Sequence, residues 1–208
     1  MSRSVSFSVC LLIFLVVFVS PRAAAQDEEE ERPQVIAFAA HTLGDQALGI
    51  SAGLLIPLFF QEFQGGEYHG TKLSLGGVGS LQWNAYLSAY WRMGIEVAGA
   101  FAFSPNLKTL LILPLTLKVA YLINVSRFEI PISLGVGVSI IRYREWSHLD
   151  IIAKPGIGAY WRYDHNWSFG INMEWRLDFQ YVDPTYQPVE HARMGNFLAV
   201  TPSLIYNF

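Results

Sequence analysis

From Trp167 to Tyr181 the chain alternates without a break. Trp167, Phe169, Ile171, Met173, Trp175, Leu177, Phe179 and Tyr181 hold one parity, and Ser168, Gly170, Asn172, Glu174, Arg176, Asp178 and Gln180 hold the other. Successive side chains of a strand point to opposite faces, so this order gives a strand one apolar and one polar face. A helix would scatter the same residues around its axis. Strands of globular proteins are usually about five or six residues long, and this one is far longer.

Weaker versions of the pattern recur at Ala47 to Phe60, Lys72 to Ala85, Ile95 to Phe103, Leu111 to Tyr121, Ile130 to Ile140, Ile151 to Trp161 and Leu198 to Phe208. The connections at one end are short: Leu87 to Arg92, Asn124 to Arg127 and Asp164 to Asn166. Those at the other end include the longer Gln61 to Gly70 and Val182 to Arg193. An even strand count in meander order with short turns at one end predicts an all-β, eight-stranded antiparallel up-and-down transmembrane β-barrel. A soluble lipocalin-like barrel would put its large apolar residues inside and its charges outside. Here the polar parity is rich in Gly, Ser and Ala. Eight strands enclose little space, so the small polar face belongs inside and the large apolar face meets lipid. The 15% charged content, against the usual quarter, agrees. On the apolar parity Phe60, Phe103, Phe179 and Tyr181 fall at the long-loop ends. Trp83, Tyr121, Trp161, Trp167 and Tyr206 fall at the short-turn ends, which makes two interfacial bands.

Ahead of the barrel, Arg3, the apolar run Val9 to Val19 and the small residues Ala23 to Ala25 read as a secretory signal peptide, residues 1–25, cleaved between Ala25 and Gln26. The apolar run would cross only about half of a roughly 30 Å hydrocarbon core. Cys10, the only cysteine, lies within it. The exported chain therefore carries no thiol, which suits an oxidising compartment and excludes disulfides and thiolate metal sites. Residues 26–45 form an acidic leader that begins with Asp27 to Glu31, and residues 46–208 form the barrel. A net charge of −3 excludes a strongly basic nucleic-acid binder.

The inward parity carries Lys72, Glu96, Lys118, Glu129, Lys154, Arg162, Glu174, Arg176 and Asp178. Glu96, Lys118, Glu129 and Arg162 alternate in sign on neighbouring strands near the short-turn end, so cross-strand ion pairs are expected to offset the cost of charge in a narrow lumen. These residues line the lumen either as a gate or as a structural plug. His41, His69 and the other histidines lack metal-ligand spacing, and no cofactor motif is present.

The signal peptide, the eight alternating strands and the C-terminal Leu204-Ile205-Tyr206-Asn207-Phe208 resemble small bacterial outer-membrane barrels of the OmpW, OmpX and OmpA type. In those families a terminal Phe with alternating apolar residues before it is read by the barrel-insertion machinery. Leu204, Tyr206 and Phe208 match that signal. The resemblance implies an outer-membrane location, contact with outer-membrane lipid, and both ends of the barrel in the periplasm. The mature length suits OmpW-like proteins, whose barrels are thought to pass small hydrophobic molecules. The expected function is a narrow gated or closed channel for passive passage of small solutes. The alternative is a structural or surface-interaction (adhesin-like) barrel that uses the outer loops. A lipid-modifying enzyme, with His191 beside Glu190 or His148 near Ser147, ranks last, and the expectation is that the chain is not an enzyme. Intact-mass measurement of the exported protein is expected to show a mature chain that starts at Gln26.

Overall fold

The computed structural model describes residues 41–62, 68–104, 109–143, 146–180 and 193–208. The alternating segments become strands β1 (Gln46–Glu62), β3 (Gly76–Tyr86), β4 (Trp91–Phe103), β5 (Thr109–Val125), β6 (Phe128–Tyr143), β7 (Trp146–Arg162), β8 (Trp167–Phe179) and β9 (Arg193–Asn207). A three-residue strand, β2 (Tyr68–Gly70), pairs only with the far end of β1. Each barrel strand pairs antiparallel with the next, and β1 pairs with β9, so eight strands close into a barrel. The short turns are built for their length. Ser126 takes the left-handed conformation (φ 54°) between β5 and β6. Between β7 and β8, the Asp164 carboxylate accepts the N–H groups of Asn166 and Trp167 at 2.9 and 2.6 Å.

Parity sets the two faces as expected. Along β5, Leu115 and Leu117 are about half exposed (49% and 53%), while Thr116 and Lys118 between and beside them are buried (1% and 6%). The same outward exposure of large apolar side chains runs around the barrel through Ile50, Leu81, Val97, Val136, Ile157 and Ile171. A continuous apolar belt of this size is the outer face of a transmembrane barrel. Trp83, Trp91, Tyr121, Trp161, Trp167 and Tyr206 are exposed around the short-turn end, and Phe101 and Phe103 near the other.

Two placements correct the sequence reading. Phe60 does not join the outer aromatic band. The β1–β9 register shifts between Pro57 and Phe59, and the extra residue of this bulge reverses the parity beyond it. Phe60 therefore packs edge-on against Phe197 inside, and Phe59 packs against Tyr68. Leu73 also turns inward, because β3 begins only at Gly76 and the preceding residues leave the ladder. Tyr181 lies outside the described residues.

The interior is layered along the axis. An apolar layer fills the long-loop end: Leu55, Val78, Ala100, Leu110, Ile112 and Phe197, joined by Phe60, Leu73 and Ile141. A second cluster at the short-turn end includes Tyr86, Leu122, Tyr160 and Ile205. Polar and charged side chains lie between, and Arg92, Glu129 and Arg162 gather beside Tyr86 at the short-turn end itself. Close strand approach depends on glycine at certain positions: a Cβ on Gly137 would sit 2.0 Å from the Leu115 carbonyl oxygen, whereas one on Gly79 would meet nothing closer than 3.6 Å. Gly137→Ala is expected to destabilise the folded barrel by about 1–3 kcal/mol, through forced separation of β5 and β6. Gly79→Ala is expected to be near neutral. Denaturant unfolding of both variants in lipid checks the contrast.

Candidate functional site

The chemistry-bearing residues converge in the lumen because their strands place them on the inward parity at similar heights. Glu96 comes from β4, Lys118 from β5, Lys154 from β7 and Glu174 from β8. Lys118 Nζ lies 2.5 Å from Glu174 and 3.5 Å from Glu96, and Lys154 Nζ lies 2.6 Å from Glu96 and 3.9 Å from Glu174. Each ammonium thus touches both carboxylates. The circuit ties β4 to β7 and β5 to β8 across the lumen, between strands that share no backbone ladder. All four groups are buried. Ionised groups so far from water persist only when paired, and the circuit supplies each with opposite charge on two sides. Arg176 Nη2 reaches Glu174 at 4.0 Å from the next layer out. Beyond it Asp178 is buried, and neither of its carboxylate oxygens accepts a hydrogen bond.

A second cluster lies at the short-turn end. Glu129 is approached by Arg92 at 3.3 Å, Arg162 at 3.6 Å and the His41 imidazole at 3.3 Å. Arg162 also donates to the Asn124 side-chain oxygen at 3.1 Å. The Tyr86 hydroxyl donates to Asn207 at 3.0 Å, and the Arg92 guanidinium lies 3.5 Å from that hydroxyl. The His41 ring stacks on Tyr86, with centroids 3.8 Å apart and planes 11° apart. Between the two charged clusters is an uncharged polar zone of Ser51, Ser80, Gln82, Tyr160, Asn172 and Ser203. Ser51 and Ser80 hydrogen-bond at 2.7 Å, and the Asn172 amide donates to both Tyr160 and Ser203. The cavity they line holds about 10 Å³, room for roughly one water molecule.

Of the nine charged residues assigned to the lumen, Glu96, Lys118, Glu129, Lys154, Arg162, Glu174, Arg176 and Asp178 are buried inside it. Lys72 is the exception. It precedes β3, outside the ladder, and is exposed. The expected row of Glu96, Lys118, Glu129 and Arg162 is divided: the first two belong to the central circuit and the last two to the mouth. Arg92, Tyr86 and His41 were not anticipated. Arg92 shares the parity of Glu96, a usable signal hidden by reading Leu87 to Arg92 as a turn. His41 lies ahead of the first strand, where no periodicity reports on it. At the C-terminus Tyr206 and Phe208 face outward and Leu204 is half-buried. Phe208 and Gln46 exchange reciprocal backbone hydrogen bonds of 2.9 and 3.1 Å. Ala25, Gln26, Glu190 and His191 lie outside the described residues. Among the described residues, no group of three or more His, Cys, Asp or Glu side chains is placed to hold a metal ion.

A protein-family model matches residues 26–206. An uncharacterised protein of Treponema pallidum (strain Nichols) is 27% identical over 173 residues, covering 78% of this chain and 79% of that protein. Among solved structures, the neisserial surface protein A (NspA) superposes with a TM-score of 0.55 at 7% identity, covering 79% of this chain and 97% of that one. The outer membrane protein OprG from Pseudomonas aeruginosa gives 0.48 at 11% identity, covering 81% and 98%. The fold is that of the small eight-stranded outer-membrane barrels.

The central circuit and the unpaired Asp178 carboxylate predict opposite sensitivities. Glu174→Gln strips charge from one side of Lys118 and Lys154 and is expected to cost roughly 3–5 kcal/mol of barrel stability. Asp178→Asn removes a carboxylate that accepts no hydrogen bond, and is expected to cost less than about 1 kcal/mol. Unfolding in guanidinium from lipid vesicles measures both.

Proposed function

Since the chain belongs to the family matched over residues 26–206, we propose that it is an integral outer-membrane barrel with a closed lumen, and that its function is structural or resides on its surfaces. The observation that carries this reading is the filling of the lumen in successive layers. The apolar layer at the long-loop end, the Glu96–Lys118–Lys154–Glu174 circuit and the cluster around Glu129 each span the interior. A solute entering from either end meets side chains packed to within a few percent of full burial. The one-water cavity between the circuit and the mouth is too small for a metabolite.

The surfaces on offer are the apolar belt, which suits outer-membrane lipid, and the loops at the long-loop end. Both ends of the barrel domain, Gln46 and Phe208, lie at the short-turn end, which this reading places in the periplasm with the signal peptide removed. Leu204, Tyr206 and Phe208 fit the role of an insertion signal, with the outward Tyr206 ring packed between Trp167 and Phe208. The barrel-insertion machinery is thus a transient partner, and lipid is the lasting one.

Purified, refolded protein in a planar bilayer tests the reading. The expected result is silence at moderate voltage, for the native chain and for Asp178→Asn. Reproducible unitary currents whose amplitude changes in Lys118→Ala or Glu174→Ala would overturn the closed lumen and establish a pore.

A further inference from the structure

Four groups that end or begin strands at the short-turn mouth ought to be wet, yet they are not. Tyr86 is the last residue of β3, Arg92 the second of β4, Glu129 the second of β6 and Arg162 the last of β7. Their exposures are 1%, 3%, 4% and 6%. His41 lies over them, its ring flat on Tyr86 and its Nε2 on Glu129.

The approach of His41 is determined by a small built turn. The Thr42 N–H donates to Asp45 Oδ2 at 2.8 Å and the Thr42 hydroxyl to Asp45 Oδ1 at 3.1 Å. The Asp45 N–H returns to the Thr42 carbonyl at 3.3 Å. Gly44 sits at φ 98°, a conformation open to glycine and strained for other residues. This turn is clipped to the barrel wall at one residue: the Gly44 N–H donates to the Tyr86 carbonyl at 3.1 Å, and the Tyr86 N–H to the Asp45 carbonyl at 2.8 Å. Tyr86 therefore holds the turn with its backbone and receives the His41 ring on its side chain.

We propose that residues 41–45 are a strap that closes the short-turn mouth of the lumen, with His41 as the stopper. The ring occupies a recess shaped for a planar nitrogen heterocycle: the Tyr86 face against it, the Glu129 Oε2 acceptor at its edge, which Arg162 shares, and Arg92 on the other carboxylate oxygen. Tyr160 pairs with Glu129 on the neighbouring strand and also lines the polar cavity. The proposal rests on the closed-lumen reading but can fail independently of it, because the circuit and the apolar layer block conduction whether or not the strap is in place.

Cysteine accessibility tests it. The full chain carrying Cys10→Ser and Tyr160→Cys, in which the lost ring leaves room for a reagent beside Glu129, is refolded into vesicles, and its labelling by a small cationic methanethiosulfonate is timed in the presence and absence of His41→Gly. Folding is monitored by the heat-dependent shift in gel mobility. The expected result is slow labelling with His41 present and labelling at least tenfold faster in His41→Gly. Millimolar imidazole is expected to restore slow labelling in the glycine variant by filling the vacated recess. Gly44→Val and Asp45→Ala, which disturb the turn while leaving every side chain of the barrel wall unchanged, are expected to accelerate labelling in the same direction, and they decide the matter should His41→Gly fail to fold. Rapid labelling with His41 and its turn intact, or equally slow labelling in all folded variants, would overturn the strap. Silence in the planar bilayer together with either of those results would leave the closed lumen standing and remove only the strap.

Discussion

A backbone amide inside hydrocarbon has no water to bond with, so every N–H and C=O within the membrane must find its partner in the protein. For strands this is possible only if the sheet has no edge, and the pairing of β1 with β9 removes it. The rest of the architecture follows from that closure. Eight strands closed on themselves leave a narrow interior. Large side chains are forced outward, and the interior must be filled with small residues, or with larger ones that pair or pack across it.

How the interior is filled differs from end to end, for physical reasons. Charges occupy the middle, where opposite walls are near enough for an ammonium on β5 or β7 to reach a carboxylate on the other side. These contacts stitch together strands that share no ladder, which a hydrogen-bonded cylinder cannot do by backbone alone. Apolar residues occupy the long-loop end, where Leu110, Ile112 and Phe197 exclude water without needing partners. The arrangement keeps each desolvated charge within reach of its opposite and leaves the simplest seal for the rim.

Strand identity and facing were legible wherever one parity was polar. Glu174, Arg176 and Asp178 could be placed inside from the sequence because Trp175 and Leu177 alternate with them. Where both parities are apolar, as in Leu110-Leu111-Ile112-Leu113, periodicity is silent, and the apolar inner layer went unseen. The bulge between Pro57 and Phe59 leaves no mark in a hydrophobic run, so Phe60 was assigned to the wrong face. Lys72 was assigned to the lumen by extending a pattern past the true start of β3. The pairing of Glu129 with Arg92 and His41, rather than with the central charges, depends on strand stagger, which sets height along the axis and is not written in any one strand.

The reciprocal bonds between Gln46 and Phe208 have a consequence for biogenesis. The residue that opens β1 is joined to the one that follows β9, so the cylinder cannot shut until all eight of its strands have been made. β1 must stay uncommitted for the whole of that interval, and a sheet short of even one strand would keep a raw, adhesive margin. In such a protein the full set of strands is itself a condition of solubility in the bilayer.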